Sequence, residues 1–163
     1  MKTLLCTVIL AAISVAAARA DDITITLDDP TQIGSPGETL EFFGTITNTS
    51  AATLYLNSDS ITLDGLSLGL IDQFFNNVPI FLGAGDSSGD VELFDVTVSN
   101  PLVDPSGTYD GSYELIGGLD GEAQDDVGST NFSVTTVPEP STIYLLLVVA
   151  SVSLVLISRK ARA

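Results

Sequence analysis

Residues 21–137 contain no lysine, arginine, histidine or cysteine. The chain's five cations, Lys2, Arg19, Arg159, Lys160 and Arg162, all lie near its two ends. Its single cysteine is Cys6, and it has no tryptophan. Each absence removes a class of chemistry. Without histidine or cysteine the middle cannot assemble a Ser-His-Asp triad, a Cys-His dyad or a conventional zinc centre. It has no lysine for a Schiff base and no guanidinium to clamp a phosphate. Disulfides are excluded as well, which matters for a segment that reads as exported.

Carboxylates fill the gap. Of 21 Asp and Glu residues only Glu139 lies outside the middle, so residues 21–137 carry a formal charge of −20 (21 − 1 carboxylates, no cation). Such a field repels nucleic acid and anionic lipid, so nucleic-acid partners are excluded. No internal ion pair can form. The carboxylates must be solvated or neutralised by external ions, and added salt should relieve their mutual repulsion.

The ends read as targeting segments. Lys2 provides a positive n-region, residues 4–15 an apolar h-region, and Ala18-Arg19-Ala20 a small-x-small cleavage site. This is the pattern of a secretory signal peptide over residues 1–20. An uncleaved anchor helix is the alternative, disfavoured by the short h-region. At the other end, the apolar run 143–157 reaches only about 22 Å as a helix. Spanning a hydrocarbon core of about 30 Å needs residues 141–158, with basic residues snorkelling at the edge. By the positive-inside rule Arg159, Lys160 and Arg162 stay in the cytoplasm, as Lys2 does at the start of export. The middle is therefore expected to cross the membrane.

Pro138-Glu139-Pro140, preceded by Val137 and followed by Ser141-Thr142, an apolar helix and a terminal Arg/Lys cluster, resembles the PEP-CTERM sorting signal of Gram-negative bacteria. The resemblance covers residues 137–163. It implies recognition near Pro138, Glu139 and Pro140 by exosortase, a membrane-embedded cysteine transpeptidase. Cleavage there would release or re-anchor the preceding domain at the cell surface, in an exopolysaccharide or biofilm matrix. The tail departs from the family in lacking glycines and in the alanine interrupting its basic cluster. An ordinary single-pass anchor behind a proline-rich linker is the competing reading.

The middle, residues 21–136, reads as one all-β domain. Ile23/Ile25/Leu27 alternate with threonines, and Leu40/Phe42/Gly44/Ile46 with polar residues. Leu54/Leu56 and Ile61/Leu63 alternate in opposite phase, which predicts a bulge at Asn57-Ser58-Asp59. Val91/Leu93 changes phase into Phe94/Val96/Val98 in the same way. Tyr109/Gly111/Tyr113/Leu115 and Phe132/Val134 follow. Only Ile71/Phe74/Phe75/Val78 has helical spacing, which predicts one short turn crossing between sheets before Pro79. About seven strands in this length predict a β-sandwich. The run Pro36 to Asn48 resembles the second strand of bacterial Ig-like surface domains. The run Asp104 to Tyr113 resembles their approach to strand F, with Tyr109 in the tyrosine-corner place and Gly111 where a cysteine normally stands. The expectation is an Ig-like sandwich, with a jelly roll as runner-up.

Acidic loops are the candidate sites. Asp120, Glu122, Asp125 and Asp126 crowd one loop, and hard oxygen donors suit Ca²⁺, the one cofactor for which ligands are on offer. The bland alternative is a solvated acidic loop. A two-carboxylate glycoside hydrolase is conceivable in charge alone, but the chain lacks tryptophan platforms for a sugar. Tyr55 and Tyr113 could stack on sugars if exposed, although strand tyrosines more commonly pack half-buried. The sequence thus favours a non-enzymatic surface or matrix module whose partners are exosortase, the membrane and exopolysaccharide. A calcium-dependent carbohydrate-binding or adhesive module is the first alternative.

Overall fold

The computed structural model describes residues 22–65 and 68–137. The signal segment with Ala18 and Ala20, the Pro138-Glu139-Pro140 motif, the helix 141–158 and Arg159, Lys160 and Arg162 lie outside the described residues. Among the described residues no helix is long and apolar enough to cross a membrane.

Nine strands form two sheets. They are β1 (Ile23–Leu27), β2 (Thr31–Gly34), β3 (Thr39–Asn48), β4 (Leu54–Leu63), β5 (Leu68–Asp72), β6 (Phe81–Leu82), β7 (Ser87–Val98), β8 (Gly107–Gly118) and β9 (Asp125–Thr136). One sheet has the order β1-β3-β7-β5 and the other β2-β9-β8-β4-β6. With β1, β3, β4, β5, β7, β8 and β9 taken as strands A to G, this is the ABED and GFC arrangement of an immunoglobulin-type sandwich. The first strand of that scheme is split at Asp28-Asp29-Pro30. β1 runs antiparallel to β3, and β2 then crosses to lie parallel to β9. Proline suits the break because it has no N–H to give a ladder, while its carbonyl accepts from Ser133 N at 2.8 Å.

Alternation sets which side chains enter the core. In β1, Ile23, Ile25 and Leu27 are buried while Thr24 and Thr26 face water. The phase changes appear as bulges where expected. β4 shifts register on β8 between Leu56 and Ser58, and β7 shifts on β3 so that Leu93 is the extra residue. Leu93 and Phe94 are consequently both buried. The helical turn α1 (Phe74–Asn77) does carry the chain from β5 in one sheet to β6 in the other. Only Phe74 of it is buried, and Ile71 belongs to β5 with its side chain exposed. The sequence count of about seven strands is thus corrected to nine. The short β2, β5 and β6 at sheet edges bury too little to show a period.

Four rings occupy the centre where a cysteine-containing domain would place its inter-sheet disulfide. Phe42 stacks on Phe94 (4.6 Å between centroids, 12°), and Phe94 stacks on Tyr113 across the sandwich (5.3 Å, 18°). Phe132 tilts against Phe42 and Phe94 at 5.1 and 4.7 Å. Each such pair is worth roughly 0.5–1.5 kcal/mol beyond the area it buries. Gly111 makes room for this cluster: a Cβ there would lie 2.5 Å from Phe132 Cζ and 2.6 Å from the Thr62 carbonyl. The missing cysteine is therefore replaced by an aromatic ring lying over a glycine in the neighbouring strand. The Tyr109 hydroxyl donates to the Pro105 carbonyl, which is the tyrosine-corner bond.

Asn48 holds the opposite end. It is fully buried, its Nδ2 donates to the carbonyls of Ala52, Leu82 and Gly83 at 2.8–3.0 Å, and its Oδ1 accepts from Ser50 N and Oγ. The Asn-X-Ser pattern at Asn48 is thus a structural bracket whose amide is inaccessible.

Candidate functional site

Three surfaces could do chemistry or binding. The first is the outer face of the five-stranded sheet. Alternate residues of β2, β9, β8 and β4 point outward there, and most are small and polar, with Ile33, Tyr55 and Ile116 as exceptions. The register lines them up in rows: Thr62–Ser112–Asn131, Ser60–Glu114–Ser129, and Asp110–Ser133–Thr31. Side-chain hydrogen bonds tie neighbours along these rows, with Thr62 and Ser112 hydroxyls 2.7 Å apart, Thr108 and Thr135 2.8 Å, and Ser133 and Thr31 3.2 Å. Strand geometry spaces this grid at about 4.8 Å across strands and about 7 Å along them. A shallow depression of about 250 Å³ lies within it, bounded by Thr62, Asp64, Asp110, Ser112 and Asn131.

The second surface holds the acidic loop between β8 and β9. Its four carboxylates are not brought together. Asn57 Nδ2, from the β4 bulge, donates to the carbonyls of Asp120 (3.0 Å) and Ala123 (2.9 Å) and closes the loop against β4. Asp120 Oδ1 accepts from Glu122 N. Asp125 and Asp126 open β9 and, with Asp22, Ser50 and Leu119, line a depression of about 560 Å³ that Asp120 and Glu122 do not reach. Among the described residues no three His, Cys, Asp or Glu side chains are grouped to hold a metal ion.

The third was not singled out from the sequence. The β4 bulge puts Asp59 in phase with the inward Ile61 and Leu63, so its carboxylate enters the gap between the sheets. Asp72, at the end of β5, approaches from the other sheet, and the hydroxyl of Tyr113 on β8 ends beside them. Burial, and then the charge of Asp72, pushes the Asp59 carboxyl up to about 6. Tyr113 is fully buried, and its phenol is held protonated by burial and by the two carboxylates. Neither Asp59 Oδ2 nor the Tyr113 hydroxyl is accessible, and neither makes a hydrogen bond of regular geometry. Asp72 Oδ1 accepts from Phe74 N at 2.7 Å. The signal that could have found Asp59 was the phase change, which fixes odd-numbered residues after the bulge as inward. A separate outer pair lies on β7, where hydrogen bonding with Asp95 raises Glu92, and Asp95 Oδ2 accepts from Gln73 Nε2 at 3.0 Å.

Tyr113 is a core ring and Tyr55 is half-buried against Phe81 (6.0 Å), so neither offers an open stacking platform. The exposed large apolar side chains gather partly around the crossing segment, at Ile71, Phe75, Ile80 and Phe81.

No protein-family model and no curated protein matches the chain. Solved structures do share its fold. An alpha-2-macroglobulin of Salmonella superposes with a TM-score of 0.52 at 18% identity, covering 73% of this chain and 7% of that one. An Escherichia coli alpha-2-macroglobulin, spanning domain MG7 to the C-terminus, gives 0.49 at 19% identity, covering 73% and 17%. A type I cohesin of Pseudobacteroides cellulosolvens gives 0.40 at 12% identity, covering 74% and 95%. The chain thus spans a small fraction of the macroglobulins it resembles. The described residues form an all-β sandwich of immunoglobulin type, and the likeness extends to the fold alone.

Proposed function

We propose that this is an exported surface or extracellular-matrix protein, processed by exosortase at Pro138-Glu139-Pro140, whose sandwich is a non-enzymatic binding or structural module of an exopolysaccharide layer. The outer grid of hydroxyl, amide and carboxylate groups on β2, β9, β8 and β4 is the observation that carries the binding part of this reading. Its periodic donors and acceptors, spaced by the strand geometry, suit a hydroxyl-rich polymer laid across the strands. The confinement of all cations to the two ends supports the export part.

Mass spectrometry of the mature C-terminus in cells with and without exosortase tests the processing. The expected result is a chain ending near residue 140 only when the enzyme is present; an identical C-terminus in both strains refutes it. Retention of the chain on purified exopolysaccharide tests the grid. Ser112→Lys, at its centre, should lower retention while far-ultraviolet dichroism shows the sandwich still folded. Unchanged retention would remove the grid from the proposal.

A further inference from the structure

We propose that Asp59, Asp72 and the Tyr113 hydroxyl form a site for a hard divalent cation, Ca²⁺, which clips the two sheets together at their open edge. The place is set by topology. Beyond Leu56, whose N–H donates to the Ile80 carbonyl at 2.8 Å, β4 has no strand partner on its outer side among the described residues, and β5 is the last strand of the opposite sheet. Both sheets therefore end here, and Asp59 and Asp72 face one another across the mouth of the sandwich. One observation separates this pair from the acidic residues elsewhere, Asp95 included, whose Oδ1 is also buried and unpartnered. The Tyr113 hydroxyl has no accessible surface and no regular hydrogen bond, although it points at the two carboxylates. Asp59 Oδ2 is likewise buried and unpartnered.

The donor set selects the ion. Two carboxylates and a phenol supply oxygen only, which suits Ca²⁺ and disfavours zinc or copper. Their two charges match one divalent cation, and no lysine or arginine of residues 21–137 can take that role. Asp72 Oδ1 is engaged by Phe74 N, leaving Oδ2 for the ion. With so few protein ligands the rest of the shell is water, so the affinity belongs with extracellular modules, at about 10⁻⁴–10⁻³ M. The site does not depend on exosortase processing or on the hydroxyl grid.

The full chain, purified in neutral detergent and stripped with a chelator, is titrated with Tb³⁺ while tyrosine is excited. The expected result is sensitised Tb³⁺ emission that millimolar Ca²⁺ displaces. Asp59→Asn, Asp72→Asn and Tyr113→Phe should each lose it, and Asp120→Asn should keep it. Emission that survives Asp59→Asn, or that Asp120→Asn abolishes, overturns the assignment. In the unsubstituted chain, the Asp59 carboxyl carbon resonance should move on adding Ca²⁺. A resonance that stays fixed through millimolar Ca²⁺ overturns it independently of any variant.

Discussion

Replacing Asp59 with asparagine keeps the shape of the side chain and removes its titration, so the difference between the two proteins isolates one carboxyl group. In the folded chain burial and the neighbouring Asp72 raise the Asp59 pKa from 3.8 to about 6. The sign follows from proton linkage. Between pH 3.8 and about 6 the folded chain holds a proton that the unfolded chain has released. The stability Asp59 contributes is thus fully present below pH 3.8 and is lost as pH rises through 6. A shift of roughly two units corresponds to about 3 kcal/mol at most. Asp59 is only half-buried, and solvent screening reduces the net effect to about 1–2 kcal/mol. Asp59→Asn should therefore match the unsubstituted protein at pH 4 and exceed it at pH 7.5 by that amount. For a domain of this size the gain corresponds to a melting temperature higher by about 4–8 °C per kcal/mol. The assay is a series of thermal melts from pH 4 to 8, at fixed ionic strength and with a chelator present, so that protons alone are varied. General repulsion among the other carboxylates affects both proteins and cancels in the difference. A difference that does not change with pH, or an asparagine variant less stable at pH 7.5, would refute the reasoning.

Other substitutions probe the neutral contacts. Asn48→Ala removes a buried amide that donates to three carbonyls, the Leu82 carbonyl among them buried, so a loss of about 2–3 kcal/mol is expected by denaturant titration. Gly111→Ala drives a methyl into Phe132 and the Thr62 carbonyl and should cost about 1–3 kcal/mol, with near-ultraviolet dichroism reporting the disturbed ring cluster. Because the described residues have no cation to pair with 19 carboxylates (20 less Asp21), raising sodium chloride from 10 to 300 mM should raise the melting temperature steadily. A flat response would show that those charges are already compensated.

Much of this architecture was legible in the residues because a half-buried strand writes its orientation in a period of two. β1, β3 and β8 bury the positions their alternation assigned, and the phase changes around Asn57 and Leu93 located the bulges in β4 and mid-β7, but not the register shifts at Thr45–Thr47 and Leu115–Ile116. The edge strands were not legible. Thr31–Gly34 buries only Gly34, and Leu68–Asp72 buries none of its residues. Ile71 was drawn into a helical pattern because Phe74 and Val78 happen to follow at three- and four-residue steps. The acidic loop illustrates a different limit. Proximity in sequence suggested four converging ligands, but Asn57 fixes the loop backbone so that Asp125 and Asp126 face one depression and Asp120 turns to its own backbone. The Asp59–Asp72 pair could not be read locally, since its members reach the same gap from different sheets.

The division of labour in this fold follows from its charge. A domain with no cation and no cysteine cannot use ion pairs or disulfides, so its fixed contacts must be neutral. The four-ring cluster, the Asn48 bracket and the Tyr109–Pro105 bond fill those places. Carboxylates are left as the elements that respond to surroundings. Most stand on outer faces, where water solvates them, and their collective repulsion makes stability depend on salt. Asp95 is buried on β7 beside Gln73, and Asp59 is drawn into the gap between the sheets and raised by burial, opposite a second carboxylate from the other sheet. Acidity and dissolved divalent ions therefore act on this sandwich chiefly at its open edge. The far side of the sandwich should remain indifferent to them, which predicts that pH and Ca²⁺ alter amide exchange along β4 and β5 while leaving β1 and β3 unchanged where Ile25 pairs with Ile46.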